Sequence, residues 1–278
     1  MVTDSERFDV AIVGGGPAGS VCAASLARRG FRVIVLERTR FPRFHLGESL
    51  LPQSLPVLAE IGVLPKIEET FIWKYGARFH DDEKKRKERF EFAGAWQGEL
   101  DHAFEVPRDE FDRVLLEHAR ASGADVREEH TATRLTRGEV LATAKSGEGL
   151  RIEARIVVDA TGRDAMTAHE ARGTRKIEGL EQTAIYTQYR GVPRPEGKAA
   201  GDIDIVLFPD VDGRRPNWFW LIPFKDGRTS VGAVVSRAWL QRNRGEGPPD
   251  LFASAVASSP TACRPPSRGA HRSRRADR

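Results

Sequence analysis

Only two cysteines, Cys22 and Cys263, occur in the 278 residues. Two thiols cannot make a disulfide framework, and neither lies near a second Cys or a His at ligand spacing, so free thiols and no metal site are expected. His45, His102, His118, His130 and His169 likewise form no pair at ligand spacing. No apolar run approaches the roughly 18 residues of a membrane-crossing helix. The N-terminal MVTDSERFDV carries acids where a secretion signal would carry an apolar core. The expectation is a cytoplasmic protein with no membrane partner. Net charge is also scarce once it is located. Of the +4 total, the last twenty residues hold six arginines against one aspartate, leaving the other 258 residues at −1. A nucleic-acid partner would rest on that tail alone, and none is expected. No internal repeat is present. The 40% hydrophobic and 30% charged content sits on the globular average, and the length accommodates one large domain or two interleaved ones.

The first forty residues carry the clearest order. FDVAIV (Phe8 to Val13) is a short apolar run, GGGPAG (Gly14 to Gly19) a turn, and SVCAASLARRG a helical stretch closed by Gly30. FRVIVLE (Phe31 to Glu37) is a second apolar run, completing a β-α-β unit. Further helices are expected from Ser54 to Ile61, stopped by Gly62, and from Asp109 to Ala121, stopped by Gly123. DDEKKRKE (Asp81 to Glu88) reads as the solvated tip of a hairpin. A small antiparallel excursion follows, and RIVVDATG (Arg155 to Gly162) returns as a buried strand. From Thr183 long alternating strands take over: TAIYTQYR, DIDIVLF, NWFWLIPF and TSVGAVV.

The fold expected is α/β, a Rossmann-like nucleotide-binding domain interleaved with a β-sheet substrate domain. Its parts fall at 1–75 and 106–175 for the nucleotide domain, 76–105 for a hairpin excursion and 176–240 for the substrate sheet. Residues 241–278 are expected to form an irregular Arg/Pro/Ser-rich tail.

Gly14, Gly16 and Gly19 follow a strand, open a helix and are answered by Glu37 at the end of the next strand. In this pattern the first glycine permits the tight turn and the second lets backbone approach a pyrophosphate. The third lets helix and strand pack, while the helix N-terminus favours phosphate charge and Glu37 suits a ribose diol. NAD and FAD share the fingerprint. No second GxGxxG follows, and a later strand ends DATG (Asp159 to Gly162), the feature through which a family resemblance implies FAD.

With DATG the chain resembles FAD-dependent monooxygenases and reductases of the hydroxybenzoate-hydroxylase-like fold, in which an Arg opening the third helix, here Arg108, lies near the flavin. Arg108 also reads as an ordinary helix-start arginine. Three further stretches, FHLGESLLP (Phe44 to Pro52), FIWKYGARF (Phe71 to Phe79) and NWFWLIP (Asn217 to Pro223), are similar to flavin-dependent halogenases of the tryptophan-halogenase superfamily. The similarity spans about residues 6 to 258. It implies cofactor contacts from Gly14, Gly16, Pro17, Ala18 and Gly19, from Glu37 and Arg38, from Glu48 and Ser49, and from Arg108, Asp159 and Gly162.

It also implies that Lys74, in FxxKxG, is the catalytic lysine. Trp218, Trp220, Ile222 and Pro223 match the WxWxIP that separates flavin from organic substrate, with Asn217 where the family has Gly. Alternation puts Trp218 and Trp220 on one strand face. In such enzymes halide is oxidised at the flavin and hypohalous acid travels to the lysine. A lysine suits this because, unlike arginine, it can lose its proton.

The chain continues its glycine motif as GGGPAGS, whereas halogenases of free tryptophan carry GGGxAGW. The resemblance therefore implies a phenol or pyrrole substrate in secondary metabolism, possibly tethered to a carrier protein. Reduced FAD would come from a separate flavin reductase, with chloride or bromide as co-substrate. The family's GDAxxxxxP segment and helical C-terminal region are not found, and the sequence from about Thr261 turns to Arg, Pro and Ser, so a C-terminally truncated chain is expected. A monooxygenase or oxidoreductase of the same fold, or an inactive fragment, remains the alternative.

Overall fold

The computed structural model describes residues 5–95, 100–170, 173–175, 177, 181–210 and 216–262. Cys263 and the Arg-rich tail lie outside them, as does the side chain of His169. The first half runs β1 (Glu6–Val13), α1 (Pro17–Ala27), β2 (Val33–Leu36), α2 (Leu55–Glu60), α3 (Leu64–Thr70), β3 (Ile72–Lys74), β4 (Gly76–Asp81), β5 (Arg86–Glu91), β6 (Ala103–Glu105) and α4 (Arg108–Ala121). It continues with β7 (Asp125–Arg127), β8 (His130–Leu135), β9 (Glu139–Ala144), β10 (Gly149–Asp159) and α5 (Met166–Glu170). The remainder is β11 (Gln182–Arg190), β12 (Ile203–Phe208), β13 (Asn217–Pro223), β14 (Arg228–Ser236), α6 (Arg237–Arg242) and α7 (Pro248–Ala257).

The chain divides into two units woven together in sequence. In the first, six strands lie in the order β7-β2-β1-β10-β9-β8. β7, β2, β1 and β10 are mutually parallel, and β8 and β9 continue antiparallel. Parallel pairing brings three strand ends to one edge. Val13 is in register with both Leu36 and Asp159, so the glycine turn, Glu37 and DATG emerge side by side. Helix α4 forms because Phe111, Val114, Leu115 and Ala119 recur at helical spacing and are buried. Acids in its first turn and His118 and Arg120 in its last complement its dipole.

The second unit is a sheet in the order β11-β14-β13-β12-β4-β5, with β4 parallel to β12 and all other pairs antiparallel. One face buries Val206, Phe208, Phe219, Val231, Ala233 and Val235 together with Trp239 of α6 and Phe252 and Ala255 of α7. A separate two-stranded ribbon pairs β3 with β6.

Several expectations are corrected. The β4–β5 hairpin is no excursion, since β4 pairs with β12 from Ile203↔Ala77 to Leu207↔Asp81. Glu48–Leu55 and Glu68–Val106 accordingly belong to the second unit, not to a nucleotide domain running through residue 75. The stretch after residue 240 is not wholly irregular, because α7 has an apolar side to bury on the sheet. RIEA and RIVVD form one continuous strand, β10. That strand is not buried throughout: Ile156 is 58% exposed.

Candidate functional site

The site residues fall into two groups, one in each unit. The first surrounds the glycine turn. Gly14 has φ +107°, and a Cβ there would lie 2.3 Å from the Ala160 carbonyl oxygen, so the turn abuts DATG directly. A Cβ on Gly19 would come within 1.9 Å of the Gly14 oxygen, which lets α1 pack against the turn. Gly16 caps α1 in an extended conformation with no side-chain hydrogen bond. Pro17 occupies the first turn, Ala18 follows it, and no acid is present there. These residues leave a helix N-terminus with uncapped donors and no competing anion.

Glu37, buried, is committed to protein partners. One oxygen accepts the Gly15 N–H at 2.8 Å, and the other accepts the Thr39 N–H and hydroxyl at 3.0 and 2.7 Å. Arg43, which the sequence reading missed, stands beside it. Its guanidinium is 3.7 Å from Glu37 and 3.4 Å from the fully buried Asp112, and it lies over the Phe41 ring. One of its nitrogens is 3.3 Å from where a Gly16 Cβ would be. Burial pulls this guanidinium below its ordinary pKa against the opposing pull of Glu37 and Asp112. Its buried Nη1 makes no hydrogen bond among the described residues.

Arg108 grips the same Asp112 with two bonds, at 2.7 and 3.0 Å, and donates a third to the Leu46 carbonyl. It is therefore more than a surface helix-start arginine. Asp159 has its oxygens taken by Thr161 and Thr167. Burial works against its charge, but these bonds outweigh it and hold the carboxyl below the usual range. Gly162 has φ +65° and open space where a side chain would be. Arg38 is more than half exposed and pairs with Asp164.

The second group centres on Lys74. Its side chain is 3% exposed, and its ammonium donates to the Ser49 hydroxyl at 2.6 Å and to the Leu50 carbonyl at 3.1 Å. It also lies 5.3 Å from the centroid of the Phe92 ring. The Glu105 carboxylate is 3.6 Å away and fully buried, and the Ser49 hydroxyl bridges the two by donating to Glu105 at 3.1 Å. Burial pushes the Glu105 carboxyl up to about 8, a rise that Lys74 and Ser49 moderate and Glu48 reinforces. Glu48 is itself buried, and its carbonyl accepts the Val106 N–H. Glu105 was not legible from sequence, because only the pairing of β3 with β6 sets it against Lys74.

On β13 the Trp218 and Trp220 rings share a face, their centroids 6.0 Å apart. Trp220 lies over Gly232, where a Cβ would be 2.1 Å from the ring, and its Nε1 donates to Ser230. Ile222 falls on this face by alternation. Pro223 does not; it alternates with Phe219 and Leu221, so the expected four-residue wall has three members on one face. Asn217 is buried, bonding to the Pro209 carbonyl and to Asp210 and accepting the Ser236 N–H. It thereby ties the strand start to the cap of α6. Among the described residues no group of three or more His, Cys, Asp or Glu could hold a metal ion. No described helix is long and apolar enough to cross a membrane.

A parallel sheet whose glycine turn and uncapped helix meet at one edge defines a dinucleotide-binding fold. Residues 7–201 match the FAD binding domain family, and the chain belongs to it. It is 35% identical over 251 residues to the 1H-pyrrole-2-carbonyl-[peptidyl-carrier protein] chlorinase of Pseudomonas fluorescens, covering 83% of this chain and 56% of that protein. It is 30% identical over 267 residues to tryptophan 2-halogenase of Chondromyces crocatus, covering 90% and 48%. The structure of the myxobacterial chondrochloren halogenase CndH superposes with a TM-score of 0.83 at 30% identity, covering 96% of this chain and 61% of that one. The chain thus spans about half the length of the curated relatives it matches.

Proposed function

We propose that this chain carries the flavin and halogen-transfer half of an FAD-dependent halogenase that acts on an aromatic substrate of the phenol or pyrrole class. The observation that carries the reading is the Lys74 amine, almost wholly withdrawn from water yet held by Ser49, Leu50 and Glu105. An ordinary surface lysine keeps its head in solvent. A buried one that is fixed in place suits a small oxidant better than a monooxygenase site, which needs no amine.

The residues present fit FAD. The tight glycine turn, the uncapped start of α1 and an Arg43 guanidinium nitrogen 3.3 Å from where a Gly16 Cβ would be match a pyrophosphate. Arg43 would supply the positive charge there. Glu37, engaged with Gly15 and Thr39, would reach a ribose only by exchanging one of those bonds. FAD, bound in its reduced form, would supply the two electrons that take dioxygen to the peroxide level at which it can oxidise halide.

The chain's own residues do the rest. Lys74 receives or orients the hypohalous acid, and Ser49 and Leu50 fix the amine. Trp218 and Trp220 present a continuous apolar face that keeps reactants apart. The likeness to a pyrrole-2-carbonyl carrier-protein chlorinase supports a tethered pyrrole as substrate.

The test supplies the protein with a flavin reductase, chloride or bromide, and a panel of free and carrier-bound phenols and pyrroles. Products are read by mass spectrometry. Halogenated product that disappears in Lys74→Ala is expected. Hydroxylated product without halogen would replace this reading with a monooxygenase.

A further inference from the structure

The Lys74 pocket contains more than a lysine needs. Glu105 is 0% exposed. Its Oε1 accepts the Ser49 hydroxyl and faces the ammonium, while its Oε2 is buried with no hydrogen-bond partner among the described residues. A buried carboxylate is ordinarily satisfied at both oxygens, because an unmet charged acceptor away from water is costly. An oxygen left bare is a poor arrangement for a permanent anion and a workable one for a carboxyl that becomes protonated. The charged and titratable groups facing it are Lys74 from β3 and Glu48 from the segment before Leu50. The first favours the anion and the second opposes it.

We propose that Glu105 takes up the proton that Lys74 must release when its amine accepts halogen, the Ser49 hydroxyl holding the two groups in line. This rests on the reading of Lys74 as the halogen-accepting lysine. The balance is complete with hypohalous acid as the only co-reactant. Lys74 ammonium, Glu105 carboxylate and HOCl give Lys74 chloramine, Glu105 carboxylic acid and water. The N–Cl bond forms and the Cl–O bond breaks. Two N–H bonds break, one proton leaving with the hydroxyl as water and the other passing to Glu105. Chlorine remains formally +1 throughout. The Lys74–Glu105 pair carries zero net charge before and after, so the step adds no charge where charge is expensive. Without the carboxylate the proton would have to leave a pocket sealed from solvent. Burial, which raises the Glu105 pKa to about 8, favours the protonated product, and the carboxylate that receives the proton is the form populated above about pH 8, where the step is expected to run.

The experiment titrates the purified protein with hypochlorous acid past consumption by its thiols and thioethers. N-chlorination of the Lys74 peptide is followed by mass spectrometry and carboxyl protonation by infrared difference spectroscopy. The band is assigned by its shift on [13C]glutamate labelling. A carboxylic-acid band should rise in step with Lys74 chlorination and be lost in Glu105→Gln. Glu105→Asp, a second variant should Gln not fold, should move the band from the glutamate label to an aspartate label. Lys74 chlorinated without such a band overturns the role of Glu105 and leaves the Lys74 reading standing. A Lys74 that resists chlorination while surface lysines react removes that reading and the proposal with it.

Discussion

The Lys74 ammonium and the Glu105 carboxylate face each other at 3.6 Å across the β3–β6 ribbon, both side chains almost completely shielded from water. Ion pairs in such places contribute little net stability, since desolvation offsets attraction, and losing one partner leaves the other exposed to the full penalty. On the proposed reading the pair serves the chemistry rather than the stability of the fold.

Lys74→Met keeps the packing volume and removes the charge that holds Glu105 down. Halogenated product should vanish while reductase-driven oxygen consumption by the flavin continues. The Glu105 carboxyl should titrate higher still, because the opposing pull of Lys74 is gone. Product mass and carboxyl NMR check the two halves separately. Near-parental halogenation in the variant would reduce Lys74 to a strand residue.

Stability should carry a pH signature from Glu105. Its folded pKa of about 8 lies above the ordinary 4.5 expected when unfolded, so the folded state binds the extra proton between those values. The resulting stabilisation is complete below about 4.5 and is lost as pH rises through about 8. Urea denaturation of the parent and Glu105→Gln should therefore give a stability difference that moves in favour of the Gln variant as pH rises. A difference that stays flat from pH 5 to 8 would show that Glu105 is ionised throughout.

Gly19→Ala places a methyl 1.9 Å from the Gly14 oxygen, with backbone rather than a flexible side chain in the way. The turn must shift, and overpacking of this kind costs about 1–3 kcal/mol. The variant should be destabilised by that order and bind FAD at least tenfold more weakly, measured by flavin fluorescence.

Asp112→Ala removes the carboxylate shared by Arg43 and Arg108. Breaking a buried pair from one side costs about 3–5 kcal/mol, and the loss should appear in thermal denaturation. Arg43→Ala removes the charge nearest Gly16 and leaves the Arg108–Asp112 clasp intact. It should weaken FAD binding more than it lowers stability.

Gly232→Ala drives a methyl to 2.1 Å from the Trp220 ring. Trp220 must leave its place and its bond to Ser230, which a blue- or red-shifted tryptophan emission would report. An unchanged emission spectrum would mean that Trp220 does not depend on that seat.

The β-α-β turn was legible because everything that specifies it is local: apolar runs of strand length, glycines at fixed offsets, and Pro17 at a helix start. Strand alternation likewise put Trp218 and Trp220 on one face before any fold was known, and the same rule sets Pro223 against membership of that wall. Arg43 and Asp112 stand 69 positions apart by their numbers, and neither segment carries a pattern that announces the other.

Residue type and short spacing alone determined the dinucleotide turn and the main strand and helix segments, whereas the lysine and tryptophan motifs were legible only through their resemblance to a known family. Tertiary structure decided which segments share a sheet. The parallel pairing of β4 with β12 brings the β4–β5 hairpin, expected as an excursion, into the second sheet. It also decided which charges are buried together. Ser49, Lys74 and Glu105 come from three separate segments, and only the antiparallel register Ile72↔Glu105, with Ser49 bridged to Glu105, sets the motif lysine beside a buried carboxyl. Backbone hydrogen bonding over tens of residues sets that register, and no local spacing encodes it.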